Sequence, residues 1–141
     1  MSVLLDATVL LKAFVSETGH TDARALVTSG SDLVVVDLVF AELARLVDRK
    51  VTRGEISEDH GLAILDTAPT FVRAVGVTGP VARRGYEIGR ALGTTPADGL
   101  YLACADALDL PIVTADLVLA SKVQGTEWQR RIIELGSSIS Q

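Results

Sequence analysis

The 141 residues are 48% hydrophobic but only 4% aromatic, so the core has to be built from Ala, Val, Leu and Ile, and the length suits one domain rather than two. No apolar run nears the roughly 20 residues that cross a bilayer, no basic segment leads into an export signal, and one cysteine, Cys104, excludes an internal disulfide; a cytoplasmic protein with no membrane segment is expected. A net charge of −5 argues against gripping nucleic acid through bulk positive potential, unless several acids are gathered around a cation that cancels their charge where a phosphate would sit.

Short β-branched runs alternate with stretches of helical period, as βα units around a parallel sheet do. Val3 to Leu5 reads as a first strand ending at Asp6, followed by a helix with Val9, Leu10, Ala13 and Phe14 as its apolar stripe. Thr21 to Ser29 predicts a second helix stopped by Gly30, and Leu33 to Val36 a second strand. Asp37 is expected to cap a helix whose apolar residues Val39, Phe40, Leu43, Leu46 and Val47 recur at three to four positions. Glu42 lies inside it. Ser57 is a cap for a helix carrying Leu62, Ile64 and Leu65, Phe71 to Val77 predicts a third strand, and Pro80 to Leu92 a helix ended by Gly93. Thr94-Thr95-Pro96 starts the next helix, since Thr caps free amides and Pro at the first helical position sacrifices no hydrogen bond. Asp98 then falls in the first turn, with Leu100, Tyr101, Cys104, Ala107 and Leu108 as the expected buried face. Beyond Pro111, Ile112 to Thr114 reads as a fourth strand leading to Asp116, Arg131 to Leu135 as a short edge strand, and 136–141 as a frayed tail.

Open parallel sheets bind ligands beyond the carboxyl ends of their strands. Asp6 and Asp116 fall there directly. Asp98 joins them if its helix leads into the fourth strand from across the site, and Glu42 if the early part of its helix faces the same cleft. Taken singly, an Asp after a strand is most simply a helix cap, and an Asp in a first turn answers the helix dipole. Glu42 is the sharper clue: set among Phe40, Ala41, Leu43 and Ala44, it borders buried surface, where a carboxylate needs a partner. An oxygen-only set suits a hard cation, Mg²⁺ or Mn²⁺, rather than Zn²⁺, and the chemistry such a cation supplies is phosphodiester hydrolysis. Two local basic groups, Arg45/Arg49/Lys50/Arg53 and Arg83/Arg84/Arg90, are candidates to flank the site; otherwise they are solvated helix faces.

The stretch from Val3 through Asp6-Ala7-Thr8 to Phe14 resembles the opening of PIN-domain proteins, in which an Asp ends the first strand and a Ser, Thr or Asn follows two residues later. Ala41-Glu42-Leu43 is similar to the family's helical Glu, Thr95-Pro96-Ala97-Asp98 with the helix to Ala105 to its third motif, and Ile112-Val113-Thr114-Ala115-Asp116 to its fourth. All four occur in order between about Val3 and Leu119. The resemblance implies an α/β, PIN-like three-layer fold, with a central parallel sheet of four to five strands flanked by helices, over a single domain of residues 1–141. Within the family the chain looks like VapC-type toxins, which implies an Mg²⁺- or Mn²⁺-dependent endoribonuclease acting on RNA, restrained by a cognate antitoxin protein and assembled as a homodimer. Ligand and catalytic roles carry over to Asp6, Glu42, Asp98 and Asp116, and Thr8 and Thr114 become hydroxyls that orient ligands or a water. A further acid found in some of the family after the fourth motif has no counterpart in Val118 to Ser121, which favours one metal over two.

Other readings compete. One is a PIN-like module that binds RNA or a protein without cutting, against which four intact acids count; another is a housekeeping RNA-processing nuclease. An acid-phosphatase-like hydrolase with Asp6 as nucleophile wants a second Asp where Thr8 stands. Asp37, Asp106 and Asp109 read as a cap and two helix-face residues, His20 and His60 as isolated exposed side chains, and Cys104 as an inert core residue.

Overall fold

The structure, a computed structural model, describes residues 1–137. Strand β1 (Ser2–Leu5) leads into helices α1 (Ala7–Lys12) and α2 (His20–Val27), β2 (Asp32–Val36) into α3 (Leu38–Thr52) and α4 (Glu58–Thr67), and β3 (Arg73–Val75) into α5 (Gly79–Leu92) and α6 (Pro96–Leu108). Strand β4 (Ile112–Thr114), α7 (Leu117–Val123) and β5 (Ile132–Glu134) follow. The five strands form one parallel sheet in the order β3-β2-β1-β4-β5. The chain therefore winds one way from β1 to β3 and crosses back to β4. The reversal falls between β1 and β4, where Leu4 and Leu5 pair with Ile112 and Val113. At such a switch point the loops leaving two neighbouring strands diverge and open a crevice at their carboxyl ends.

Side chains on a strand alternate between faces, and the two cores follow that period. Val3, Leu5, Leu33, Val35 and Val113 pack under α1 to α4 with Leu10, Leu43, Val47 and Ile64, while Leu4, Val34, Val36 and Ile112 pack under α5, α6 and α7 with Ile88, Leu102 and Leu119. Both faces are covered, which is why β1 and β2 read as unbroken apolar runs. Each fully buried Val or Leu contributes about 1.5–3 kcal/mol. Among the described residues, no helix is long and apolar enough to cross a membrane.

Several elements differ from their sequence expectation. The third strand is confined to Arg73–Val75, because Ala68–Phe71, with Pro69 near its start, closes into a 3₁₀ turn; Phe71 packs obliquely on Phe14 at 5.9 Å instead of pairing. Asp37 precedes α3 but caps nothing: its backbone is already helical (φ −60°, ψ −19°), whereas a capping carboxylate needs extended backbone to fold over the helix end. Its N–H instead donates to Val75 O. On α6 Gly99 and Tyr101 to Ala105 are buried, while Leu100 is half-buried and Ala107 and Leu108 are exposed. That last turn lies at the rim, where Asp106 and Asp109 pair with Arg84 and Arg131. The tail expected to fray is described as far as Ser137, whose N–H reaches Glu134 O; residues 138–141 lie outside the described residues.

Helices α5 and α6 touch backbone to backbone. A Cβ on Gly99 would lie 1.9 Å from the Gly85 carbonyl oxygen, one on Gly89 2.7 Å from Thr95 O, and one on Gly85 2.8 Å from Leu100 N. Three glycines thus set the approach that holds the first turn of α6 in place.

Candidate active site

Asp6 leaves β1 in extended conformation and caps α1, its Oδ1 accepting from Val9 N (3.0 Å) and from Thr8 Oγ1 (2.7 Å). Its Oδ2 accepts from the hydroxyl of Thr114, which is 1% exposed at the end of β4. The same hydroxyl oxygen accepts from Asp116 N at 2.9 Å, so one buried side chain joins the two strands that flank the switch point. Asp116 caps α7 through Oδ1, which accepts from Val118 N (2.9 Å) and Leu119 N (3.1 Å).

Glu42 reaches the same end of the sheet because α3 starts directly after β2, and Asp98 because α6 runs back to end just before β4, which sets the early turns of both helices over the strands' carboxyl ends. Asp98 stands in the first turn of α6, behind the cap Thr95, and its Oδ2 accepts from the Thr94 hydroxyl. Glu42 stands in the second turn of α3 and its Oε1 accepts from Tyr101 Oη at 2.5 Å. All four acids line one cavity of about 380 Å³, together with Thr8 and Arg45. Among the described residues, Glu42, Asp98 and Asp116 each keep one carboxylate oxygen that accepts from no protein donor.

Tyr101 was missed by the sequence reading as anything but core. The available signal was a phenol on an aliphatic helix face, since a buried Tyr hydroxyl finds a polar partner. The other acids and histidines lie elsewhere: Asp106 and Asp109 in the rim ion pairs, His20 and His60 on the carbonyls of Lys12 and Phe14, and Cys104 buried.

Burial pushes the Asp6 carboxyl above its ordinary value, against the donors Thr114, Thr8 and Val9, with Asp116 adding to the rise. Burial likewise raises Glu42, opposed by the Tyr101 hydroxyl and by Arg45 and reinforced by the charges of Asp6 and Asp98. Each acid of the set thus feels, or is felt by, another. A carboxyl whose folded pKa exceeds its unfolded one holds its proton more tightly when folded, so ionising it costs stability as the pH rises from the ordinary 4.5 through the raised value. In chelator, Glu42→Gln is therefore expected to be more stable than wild type above that window and no more stable below pH 4.5. Urea midpoints of both proteins at the two pH values check it. The comparison is between variants because Glu17, Asp32 and Asp106, held low by their basic partners, have the opposite pH dependence.

The donor set fits a hard cation in kind: carboxylates and hydroxyls, two of the acids raised by burial and by their neighbours' charge. Among the described residues, no three acidic, His or Cys side chains are already drawn together at ligating distance. That does not conflict with Mg²⁺, which keeps several waters and takes one or two carboxylates plus substrate oxygens rather than a closed protein cage.

The family described as PIN domain matches residues 3–123. The chain belongs to this family. A relative named Ribonuclease VapC3, from Pyrobaculum aerophilum, is 26% identical over 124 residues, which span 86% of this chain and 95% of that protein. Among solved structures, PAE2754 from Pyrobaculum aerophilum matches with a TM-score of 0.73 at 16% identity, over 96% of this chain and 84% of that one. A toxin-antitoxin complex from Klebsiella pneumoniae matches with a TM-score of 0.67 at 14% identity, over 93% of this chain and 95% of that one. At such identities the structures speak for the fold, the PIN fold of a parallel sheet between helices. All four acidic motifs fall within the matched PIN span.

Proposed function

We propose that this PIN-domain chain is an Mg²⁺- or Mn²⁺-dependent endoribonuclease that hydrolyses RNA phosphodiester bonds, and that it is the toxin of a type II toxin-antitoxin pair, restrained by a cognate antitoxin and assembled as a homodimer. The observation that carries the reading is the convergence of Asp6, Glu42, Asp98 and Asp116, from four separate elements, on one cavity at the switch point of the sheet. A relative that is named a ribonuclease supports the substrate, and a neighbour that is a toxin-antitoxin complex supports the partner.

A divalent cation held there would neutralise charge on the phosphodiester and its leaving oxygen and acidify the attacking water. The protein's part is orientation. Thr8 and Thr114 hold Asp6 by both oxygens, and Thr114 fixes the backbone of Asp116 as well. The oxygens of Glu42, Asp98 and Asp116 that lack a protein donor are the acceptors left for the cation or for a proton of the attacking water. Arg45, on the cavity wall, offers charge-assisted donors to a phosphate oxygen.

Tyr101 keeps Glu42 in one orientation. Tyr101→Phe is expected to weaken Mn²⁺ binding about 10- to 100-fold, as loss of a ligand's own hydrogen-bond partner does, in a titration followed by the electron paramagnetic resonance of free Mn²⁺. Unchanged affinity would reduce the hydroxyl to packing. For the function itself, total RNA incubated with the protein and Mg²⁺ or Mn²⁺ is expected to be cut, and chelator to prevent it. RNA that is bound but stays intact in either metal returns the chain to the class of binding modules.

A further inference from the structure

Beside the acid cavity lies a second one, of about 310 Å³, with the opposite charge. Lys12, Arg49, Lys50 and Arg53 line it against two acids, Glu17 and Glu55, and Thr8 and Leu46 belong to the walls of both cavities. The lysines are already engaged: Glu17 takes Lys50 at 2.6 Å and Lys12 at 3.3 Å, and Glu55 takes Lys50 at 3.2 Å. Arg49 and Arg53 form no ion pair among the described residues, and both are exposed.

Their position relative to Glu42 follows from helix geometry. At 3.6 residues per turn, Arg49 and Arg53, the latter the C-cap of α3 with helical backbone (φ −80°, ψ −3°), fall within about 20° of Glu42, one to either side, on a single stripe, with the two arginines about 6 Å apart along the axis. That spacing is near the repeat of successive phosphates on an extended strand. The other basic group on α5 offers no such line: Arg83 pairs with Glu87, and Arg84 pairs with Asp106 and covers Trp128.

We infer that the second cavity is a phosphate track for single-stranded RNA, in which Arg49 and Arg53 hold successive phosphodiesters on one side of the one placed over the carboxylates. The inference rests on the ribonuclease reading and adds to it the side on which the strand leaves the site. Because Thr8 and Leu46 line both cavities, the second lies within one or two nucleotides' reach of a strand held in the first. A phosphate there meets guanidinium donors in the fork geometry that suits it, and a strand held through its backbone is gripped without regard to sequence.

Binding is measured in chelator, with the full chain and a short fluorescein-labelled random-sequence RNA, over a series of salt concentrations. Arg49→Gln/Arg53→Gln is expected to bind about tenfold more weakly and to lower the slope of log affinity against log salt by about 1.4, roughly 0.7 for each phosphate no longer neutralised by a guanidinium. Arg83→Gln/Arg90→Gln should change neither quantity. With Mg²⁺ or Mn²⁺ present, the first double variant should raise KM and keep kcat. Equal affinity of wild type and Arg49→Gln/Arg53→Gln, including no binding by either, overturns the track, as does cleavage with an unchanged KM. So does a double variant that keeps RNA but loses a polyglutamate peptide, which would assign the cavity to an acidic protein segment. RNA held through the two arginines yet never cut in either metal would remove the ribonuclease reading and leave the track.

Discussion

Asp98→Asn is expected to fold as the wild type does and to cut RNA more slowly by on the order of 10²–10³-fold, the scale seen when one electrostatic partner of a transition state is removed. Asp98 is the clean probe because its carboxylate has no backbone to hold. Thr95 caps α6, and the Asp98 side chain accepts only from the Thr94 hydroxyl, a bond that an Asn carbonyl can also accept. Asp6 and Asp116 each cap a helix, so replacing either mixes the loss of chemistry with about 0.5–2 kcal/mol of capping. The metal supplies an independent readout. A cation that binds only the folded state relieves the mutual repulsion of the acids and stabilises that state by about 2.7 kcal/mol at a hundredfold excess over Kd. For a domain of this size that raises Tm by roughly 8 °C. Calorimetry with and without Mg²⁺ should show the rise in wild type and a blunted rise in Asp98→Asn. A variant that cleaves at the wild-type rate removes Asp98 from the chemistry whatever the melting curves show.

The sequence announced the strands that are buried on both faces, because a run such as Leu33 to Val36 has no other economical reading. It overran β3, where pairing with β2 alone ends at Val75 and Pro69 favours a turn. Asp6 and Asp116 were legible as residues at strand ends. Asp98 and Glu42 were not placed by spacing, since their arrival depends on which strands neighbour which, and that order is a property of the sheet. The hydrogen bonds that organise the site were still less visible: Tyr101 and Glu42 are 59 residues apart, and Thr114 and Asp6 108. Nor did composition separate the two basic groups. The wall shared by the two cavities, and the absence of ion pairs at Arg49 and Arg53 among the described residues, single out that group. Asp37 shows the converse error, a residue with the right chemistry for a cap whose backbone turns into the helix too early to serve as one.

The glycines of α5 and α6 carried no signal in the sequence, because a helical Gly is unfavourable by about 1 kcal/mol relative to Ala and nothing nearby says what offsets it. The offset is the close approach of the two helices, and Gly99→Ala is its test. Intrinsic propensity alone predicts stabilisation. The structure predicts the reverse: the new Cβ would meet Gly85 O at 1.9 Å, Gly85 C at 2.8 Å and Gly89 N at 2.9 Å, all backbone atoms that no rotamer change can move. Forced separation of packed elements costs about 1–3 kcal/mol and sometimes more, so a net loss of roughly 2 kcal/mol is expected in the urea midpoint. Gly79→Ala is the control. It sits at the start of α5 with nothing beyond its chain neighbours within 4 Å of its added Cβ; a Cβ before Pro80 disfavours helical backbone and offsets the entropic gain of replacing Gly, so stability should change by less than about 1 kcal/mol. Because Gly99 directly follows Asp98 and lies two residues before Tyr101, a displaced α6 carries both side chains away from Glu42 and Asp6. Specific activity per folded molecule should therefore fall in Gly99→Ala and hold in Gly79→Ala. If Gly99→Ala instead keeps wild-type activity once the unfolded fraction is subtracted, the packing of α5 on α6 stabilises the fold without setting the position of Asp98.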